Sequence, residues 1–218
     1  MDIDLIKSYL ADTDPQKRMK AVLELRSYDT EIAVPLLIAQ MNDHEFLVRS
    51  FVAMGLGRKQ NAESFARLLE MMKFDRDPNV RAEAANSLSY YGEISASHLL
   101  LMFKQDDHWL IRRSILAALA ELNCPAELLE VALMGIAGED FSVMESSIDC
   151  LAVLSNTEQA EVALEKLLSL VNDESWRIRV KVAKALGNFS DSRAKDALNQ
   201  LKEDADHRVV GAVLDSLV

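Results

Sequence analysis

Apolar or small residues return three, four and seven places after one recurring position in this chain, and the whole pattern occurs seven times. An apolar residue followed by Arg marks that position: Val48-Arg49, Val80-Arg81, Ile111-Arg112 and Ile178-Arg179, with Lys17-Arg18 ahead of them. Val143-Met144 and Val209-Val210 keep the frame without the Arg. Positions 18, 49, 81, 112, 144, 179 and 210 therefore mark seven copies, at intervals of 31, 32, 31, 32, 35 and 31 residues. In the third copy the returning residues are Ala84, Ala85 and Leu88, and in the sixth Val182, Ala183 and Leu186. At about 100° per residue these lie on one helical face with the apolar residue before the marker. Four places ahead of the marker, Asp14, Asp77, Asp140, Ser175 and Asp206 are suited to cap a helix by accepting from its free N–H groups. The next place holds Pro15 or Pro78, whose missing N–H costs nothing in a first turn, or a ring: Phe46, Trp109, Phe141, Trp176 or His207.

The stretches between these helices are apolar at helical spacing too, as in Val34, Leu37, Ile38 and Met41, or Leu164, Leu167, Leu168 and Val171. Each copy is thus a helical hairpin. The pattern predicts first helices near 3–11, 30–42, 61–73, 94–105, 125–137, 157–171 and 191–203. Second helices are predicted near 15–27, 45–57, 78–91, 108–122, 141–154, 175–188 and 206–217. A lone hairpin cannot bury both apolar faces, so the fold class expected is an all-α, right-handed α-α solenoid. It is a single domain over 1–218 with seven repeats of about 31–35 residues. The 35-residue interval after Met144 makes the fifth copy the irregular one. Its extra residues are expected in the Ser155–Thr157 turn and in a longer helix after it.

The stretch Asp-x-x-Val-Arg-x-x-Ala-Ala-x-x-Leu, running from Asp77 to Leu88, resembles the HEAT repeat. It is most similar to the short repeats of the phycobilisome-lyase HEAT-like family, and the likeness covers essentially the whole chain. The resemblance implies a HEAT/armadillo-type fold and a cyanobacterial setting. It also implies partners such as a phycobiliprotein or a second HEAT-repeat subunit. HEAT-like folds include the iron enzyme deoxyhypusine hydroxylase, but the places its His-Glu ligands follow the repeat Arg hold Ser50, Ala82, Arg113, Glu145, Val180 and Gly211 here.

Charge and composition narrow the chemistry. Half the residues are hydrophobic, 27% are charged, and seven Gly with four Pro are too few for an all-β chain. A net charge of −11 argues against tracking nucleic-acid phosphates, and against the basic groove of HEAT-like DNA glycosylases. No apolar run approaches a membrane span, and the acids in MDIDLIKSYL do not fit a signal peptide, so a cytoplasmic protein without membrane insertion is expected. Cys124 and Cys150 form no CxxC pair. His44, His108 and His207 recur whole repeats apart, so neither cysteine nor histidine pattern predicts a metal site.

Two residue sets stand out. Arg18, Arg49, Arg81, Arg112 and Arg179 sit at the edge of the buried face, where each guanidinium can pair with an Asp of its own or the next repeat. A structural ladder is the expected role. Positions two, five and nine after the marker point away from the core. In copies two and three they read Phe51, Met54, Arg58 and Glu83, Asn86, Tyr90, a mixture usual in interfaces. The expected partner-binding residues are Phe51, Met54, Arg58, Asn86 and Tyr90, with Arg113 and Glu121 at the margin. The reading is a non-catalytic scaffold that binds a protein on its concave face without a cofactor. The alternative implied by the resemblance is a lyase subunit that attaches or removes a phycobilin, although no residue here is assignable to that reaction.

Overall fold

The computed structural model describes residues 1–216. Among the described residues every regular element is helical. Seven hairpins follow one another: α1 (Ile3–Leu10) with α2 (Pro15–Glu24), α3 (Thr30–Ile38) with α4 (Phe46–Lys59), α5 (Ala62–Phe74) with α6 (Pro78–Ser89), and α7 (Ala96–Gln105) with α8 (Trp109–Ala120). Then come α9 (Pro125–Ala137) with α10 (Phe141–Val153), α11 (Ala160–Ser169) with α12 (Trp176–Leu186), and α13 (Ser192–Leu201) with α14 (His207–Asp215). The hairpins gather into two compact units, Met1–Leu122 with the first four and the chain from Asn123 onward with the last three.

Local chemistry sets the helix ends. Asp14, Asp77, Asp140 and Asp206 each accept a backbone N–H of the first turn, and His108 does so through Nδ1, from Leu110 at 3.2 Å. Ser175 precedes α12 without such a bond. A short 3-10 turn at Leu25–Ser27 continues α2 where α-helix is expected from the pattern, and another at Leu154–Asn156 follows α10 where its helix is expected to end. The predicted end of the last helix at 217 lies outside the described residues.

The fifth copy differs from the expectation in one respect. Its extra residues do not lengthen the following helix, since α11 has ten residues. They sit in the turns. Thr157 Oγ1 donates to the Leu154 carbonyl at 2.9 Å and accepts from the Gln159 N–H at 3.2 Å, so the chain closes a compact turn and the helix starts late.

Within each unit, second helices of neighbouring hairpins pack closely while first helices meet sparsely, which makes the second helices the inner layer. Small residues permit that approach. A Cβ on Gly57 of α4 would lie 2.7 Å from Ser87 Cβ, and one on Gly187 would lie 2.6 Å from Ser216 Cβ. The apolar positions three, four and seven after the first six markers supply the core, among them Val52, Ala53, Leu56, Ile115, Leu116, Leu119, Val182 and Leu186, whereas Leu214 in the seventh copy is exposed. Burying each large aliphatic side chain contributes about 1.5–3 kcal/mol.

Candidate partner-binding surface

Beneath the inner surface runs a polar scaffold. Six residues before the marker the chain carries Asp12, Asp43, Asp75, Asp106, Asp173 and Asp204, and only the fifth copy departs, with Gly138. Each of these carboxylates accepts the backbone N–H two residues further on, at 2.8 or 2.9 Å, and so folds the turn before the second helix. Four of them also take the arginine of the preceding repeat. Arg18 donates through Nε and Nη2 to Asp43 at 2.6 and 2.8 Å, Arg49 to Asp75 at 2.7 and 2.9 Å, and Arg179 to Asp204 at 2.7 and 2.9 Å. Arg81 reaches Asp106 through Nε at 2.9 Å.

The remaining guanidinium nitrogen, Nη1, donates to a carbonyl of the arginine's own turn: Asp12, Asp43, Asp75 or Asp173. Every such arginine therefore clamps two successive turns, using the fork geometry that Lys lacks. The Arg49 and Asp75 side chains are only 4% and 7% exposed. Hydrogen bonding to Asp75 holds the Arg49 guanidinium above its ordinary pKa despite burial, and Arg179 holds the Asp204 carboxyl below the usual range. At Asp43 burial pushes the other way, but the bonds from Arg18 and the Glu45 N–H outweigh it and the net shift is downward.

Arg112 is placed differently from the other four marker arginines. Its Nε donates to the Asp106 carbonyl at 2.9 Å and its guanidinium lies 5.2 Å from the Phe103 ring centre. The aspartates of this ladder stand two places before the capping residues, where the recurring Asp-x-Asp, Asp-x-Glu, Asp-x-His and Asp-x-Ser sequences are their signal.

Of the expected binding residues of the first unit, Phe51, Met54 and Arg58 stand on α4, Asn86 on α6 and Arg113 on α8, with Tyr90 and Glu121 just past α6 and α8. Arg58, Asn86, Arg113 and Glu121 are exposed, and Phe51 and Met54 are partly buried on α4. Tyr90 is 53% exposed at the end of α6. Its neighbour Tyr91 turns inward, donating from its hydroxyl to the Leu56 carbonyl at 3.1 Å with its ring 5.1 Å from Phe65. One residue of helical phase thus separates a surface tyrosine from a packing one. Glu83 is partly buried on the same face. Burial raises its pKa, while the Ser87 hydroxyl at 3.4 Å and the charge of Arg58 oppose the rise. Arg113 lies 6.0 Å over the Trp109 ring.

The second unit carries ties that the marker pattern does not reveal. Arg177 bonds Glu145 at 3.1 Å, Lys181 bonds Asp149 at 2.5 Å, and Arg193 grips Glu161 at 2.8 and 2.7 Å, always across 32 residues. Arg177 lies 5.0 Å over Phe141 and Arg208 lies 3.3 Å over Trp176. Opposite charges one repeat apart were their sequence signal.

Among the described residues no three His, Cys, Asp or Glu side chains converge as a metal site, and no helix is long and apolar enough to cross a membrane. Cys124 and Cys150 are buried thiols, and burial pushes Cys150 up to about 12. An apolar hollow on the outer helices, lined by Leu69, Met72, Leu101 and Met102, holds 210 Å³. That is less than the roughly 300–1,000 Å³ of a usual small-molecule cleft.

A family model described as HEAT repeats matches residues 34–120 and 126–218. Among solved structures the chain is similar to YibA of Escherichia coli, with a TM-score of 0.63 at 16% identity, covering 100% of this chain and 92% of that one. It is also similar to the complex of CpcE and CpcF of phycocyanin lyase from Nostoc sp. PCC7120, with a TM-score of 0.56 at 19% identity, covering 100% of this chain and 95% of that one. Likeness at these identities is likeness of fold. No curated protein matches the chain by sequence.

Proposed function

We propose that this chain, which belongs to the HEAT-repeat family, is a non-catalytic cytoplasmic scaffold that holds a protein partner on the inner face of its first unit. The observation that carries the reading is Tyr90, 53% exposed, on a face shared with Phe51, Met54 and Arg58 of the adjacent α4. Aromatic, Met and Arg side chains are enriched in interfaces, and aromatic and Arg groups dominate the residues that carry binding energy. The ladder supports the same reading. Clamped turns hold α4, α6 and α8 in place before a partner arrives, so less ordering cost falls on binding.

The fold likeness to the phycocyanin lyase complex makes a phycobiliprotein the first client to try and a second HEAT-repeat chain the first subunit to try. The work envisaged is assembly or degradation of a protein complex. That same likeness keeps a bilin lyase subunit as the competing reading. Absorbance of the purified chain mixed with phycocyanobilin, with and without apo-phycobiliprotein, separates the two. A scaffold leaves the chromophore spectrum unchanged, and a lyase subunit shifts it. For the binding face itself, Phe51→Ala/Tyr90→Ala is expected to weaken a captured partner by about tenfold or more while the thermal midpoint stays within error. A large fall in the midpoint would identify the rings as packing residues.

A further inference from the structure

Charge is sorted in the first unit. Its second helices α2, α4, α6 and α8 hold nine Lys or Arg against two acids, Glu24 and Glu83, whereas the unit as a whole holds 15 basic and 18 acidic residues. Most of the other acids stand in the turns, at ladder and capping positions among others, and the rest are on the first helices, as Asp4, Glu31, Glu63 and Glu70 are. The chain from Asn123 onward is more acidic still, with 9 basic and 17 acidic residues.

Several of the nine cations are committed. Arg18, Arg49 and Arg81 are in the ladder, Lys17 bonds Asp12 at 2.7 Å, and Lys59 donates to the Tyr28 carbonyl. Lys20 and Arg58 are different. Both are exposed, two and nine places after their markers, and neither belongs to the ladder, although the charge of Arg58 is felt by the partly buried Glu83. They flank apolar groups on the same inner layer: Leu23, 39% exposed, Met54, Phe51 and Tyr90.

We infer that the occupant of this face is an acidic segment of a partner protein, with apolar side chains set on Leu23, Met54, Phe51 and Tyr90 and carboxylates facing Lys20 and Arg58. The inference rests on the inner-face reading above and adds the partner's chemistry. Complementary charge speeds encounter and rejects wrong partners. The acidic turns and second unit repel such a segment elsewhere, which confines it to this surface. Glu83 lies within the face and Glu121 at its margin. Burial of Glu83 disfavours its charged form, with the Ser87 hydroxyl and the charge of Arg58 acting the other way, and the net shift is upward.

The test is a random-peptide display selection on the immobilised full chain, followed by anisotropy titration of the enriched peptides. The expected winners are rich in Asp and Glu beside aromatic or aliphatic residues. They bind about tenfold more weakly to Lys20→Glu/Arg58→Glu and to Phe51→Ala/Tyr90→Ala, and weaken steeply with added salt. Circular dichroism checks that each variant is folded, and the neutral pair Lys20→Gln/Arg58→Gln, with an intermediate loss expected, serves where the reversed pair is not. Enrichment of neutral or basic peptides that still depend on Phe51 and Tyr90 would leave the binding face standing and overturn its acidic occupant. Acidic peptides indifferent to both variants would overturn both readings, and a selection that enriches nothing would overturn the acidic occupant.

Discussion

The two units join equivalent repeats by different means. In the first, three arginine-aspartate clamps connect successive turns, and the central one, Arg49 with Asp75, is almost wholly buried. In the second, one such clamp is found among the described residues, Arg179 with Asp204, and the other ties lie nearer the surface: Arg177 with Glu145, Lys181 with Asp149, Arg193 with Glu161, and the stacks on Phe141 and Trp176. The sequence shows where the change begins. Copy five has Gly138 in place of the ladder aspartate and Met144 in place of the arginine, which leaves Asp173 to fold its own turn only. A repeat can therefore keep its apolar core and exchange its polar fastening. Buried clamps are position-specific and costly to break, whereas exposed pairs are weak, screened and replaceable.

The largest expected effect is at the buried clamp. Arg49→Ala strands the Asp75 carboxylate and two turn carbonyls, and should cost about 3–5 kcal/mol in urea unfolding. Hydrogen exchange should place the loss in residues 1–122. Loss of protection spread evenly over both units would break the contrast.

Acidification comes next. Asp43 and Asp204 have folded pKa values below the ordinary carboxylate value of about 3.9. A depressed carboxylate stabilises the fold above its unfolded pKa, and that stabilisation disappears as pH falls through the folded value. The thermal midpoint should be flat with respect to these groups from neutral pH to about pH 4 and fall below it. A decline already complete by about pH 5 would assign acid sensitivity to other groups.

Rebuilding the missing clamp sharpens the comparison from the other side. Met144→Arg offers Asp173 a guanidinium at the place that Arg49 and Arg179 occupy in their repeats, and a gain of about 1–2 kcal/mol is expected. A loss of stability would show that the fifth repeat has adapted its packing to methionine. The smallest effect belongs to the exposed ties. Arg177→Ala should cost under about 1 kcal/mol, and 1 M salt, with a Debye length of about 3 Å, should remove most of the difference.

The fold was largely legible because its signals are local and repeated. Apolar spacing placed all seven hairpins, and α9 at Pro125–Ala137 matches its predicted span. Helix ends were less legible where α-helix tightens into a 3-10 turn, as at Leu25–Ser27, since both conformations suit the same residues. The inner-face residues were read only as directions around a helix, and Tyr91, one place beyond Tyr90 and packed on Phe65, carried no signal in the repeat pattern.

The sequence by itself determined the repeat, its register and the residue types at each station, because helical phase and capping depend on neighbours a few places away. Only the tertiary structure decided which aspartate each arginine grips. Asp43, Asp75, Asp106 and Asp204 lie 25 or 26 residues beyond their arginines, a separation that no preference acting over a few places can span. Stacking one hairpin on the next brings the turn aspartate to the guanidinium, and points the capping carboxylate back at its own helix. Tertiary packing also decided that Phe51 and Met54 are partly covered while Tyr90 projects, since burial on the inner layer depends on how closely the neighbouring helix approaches.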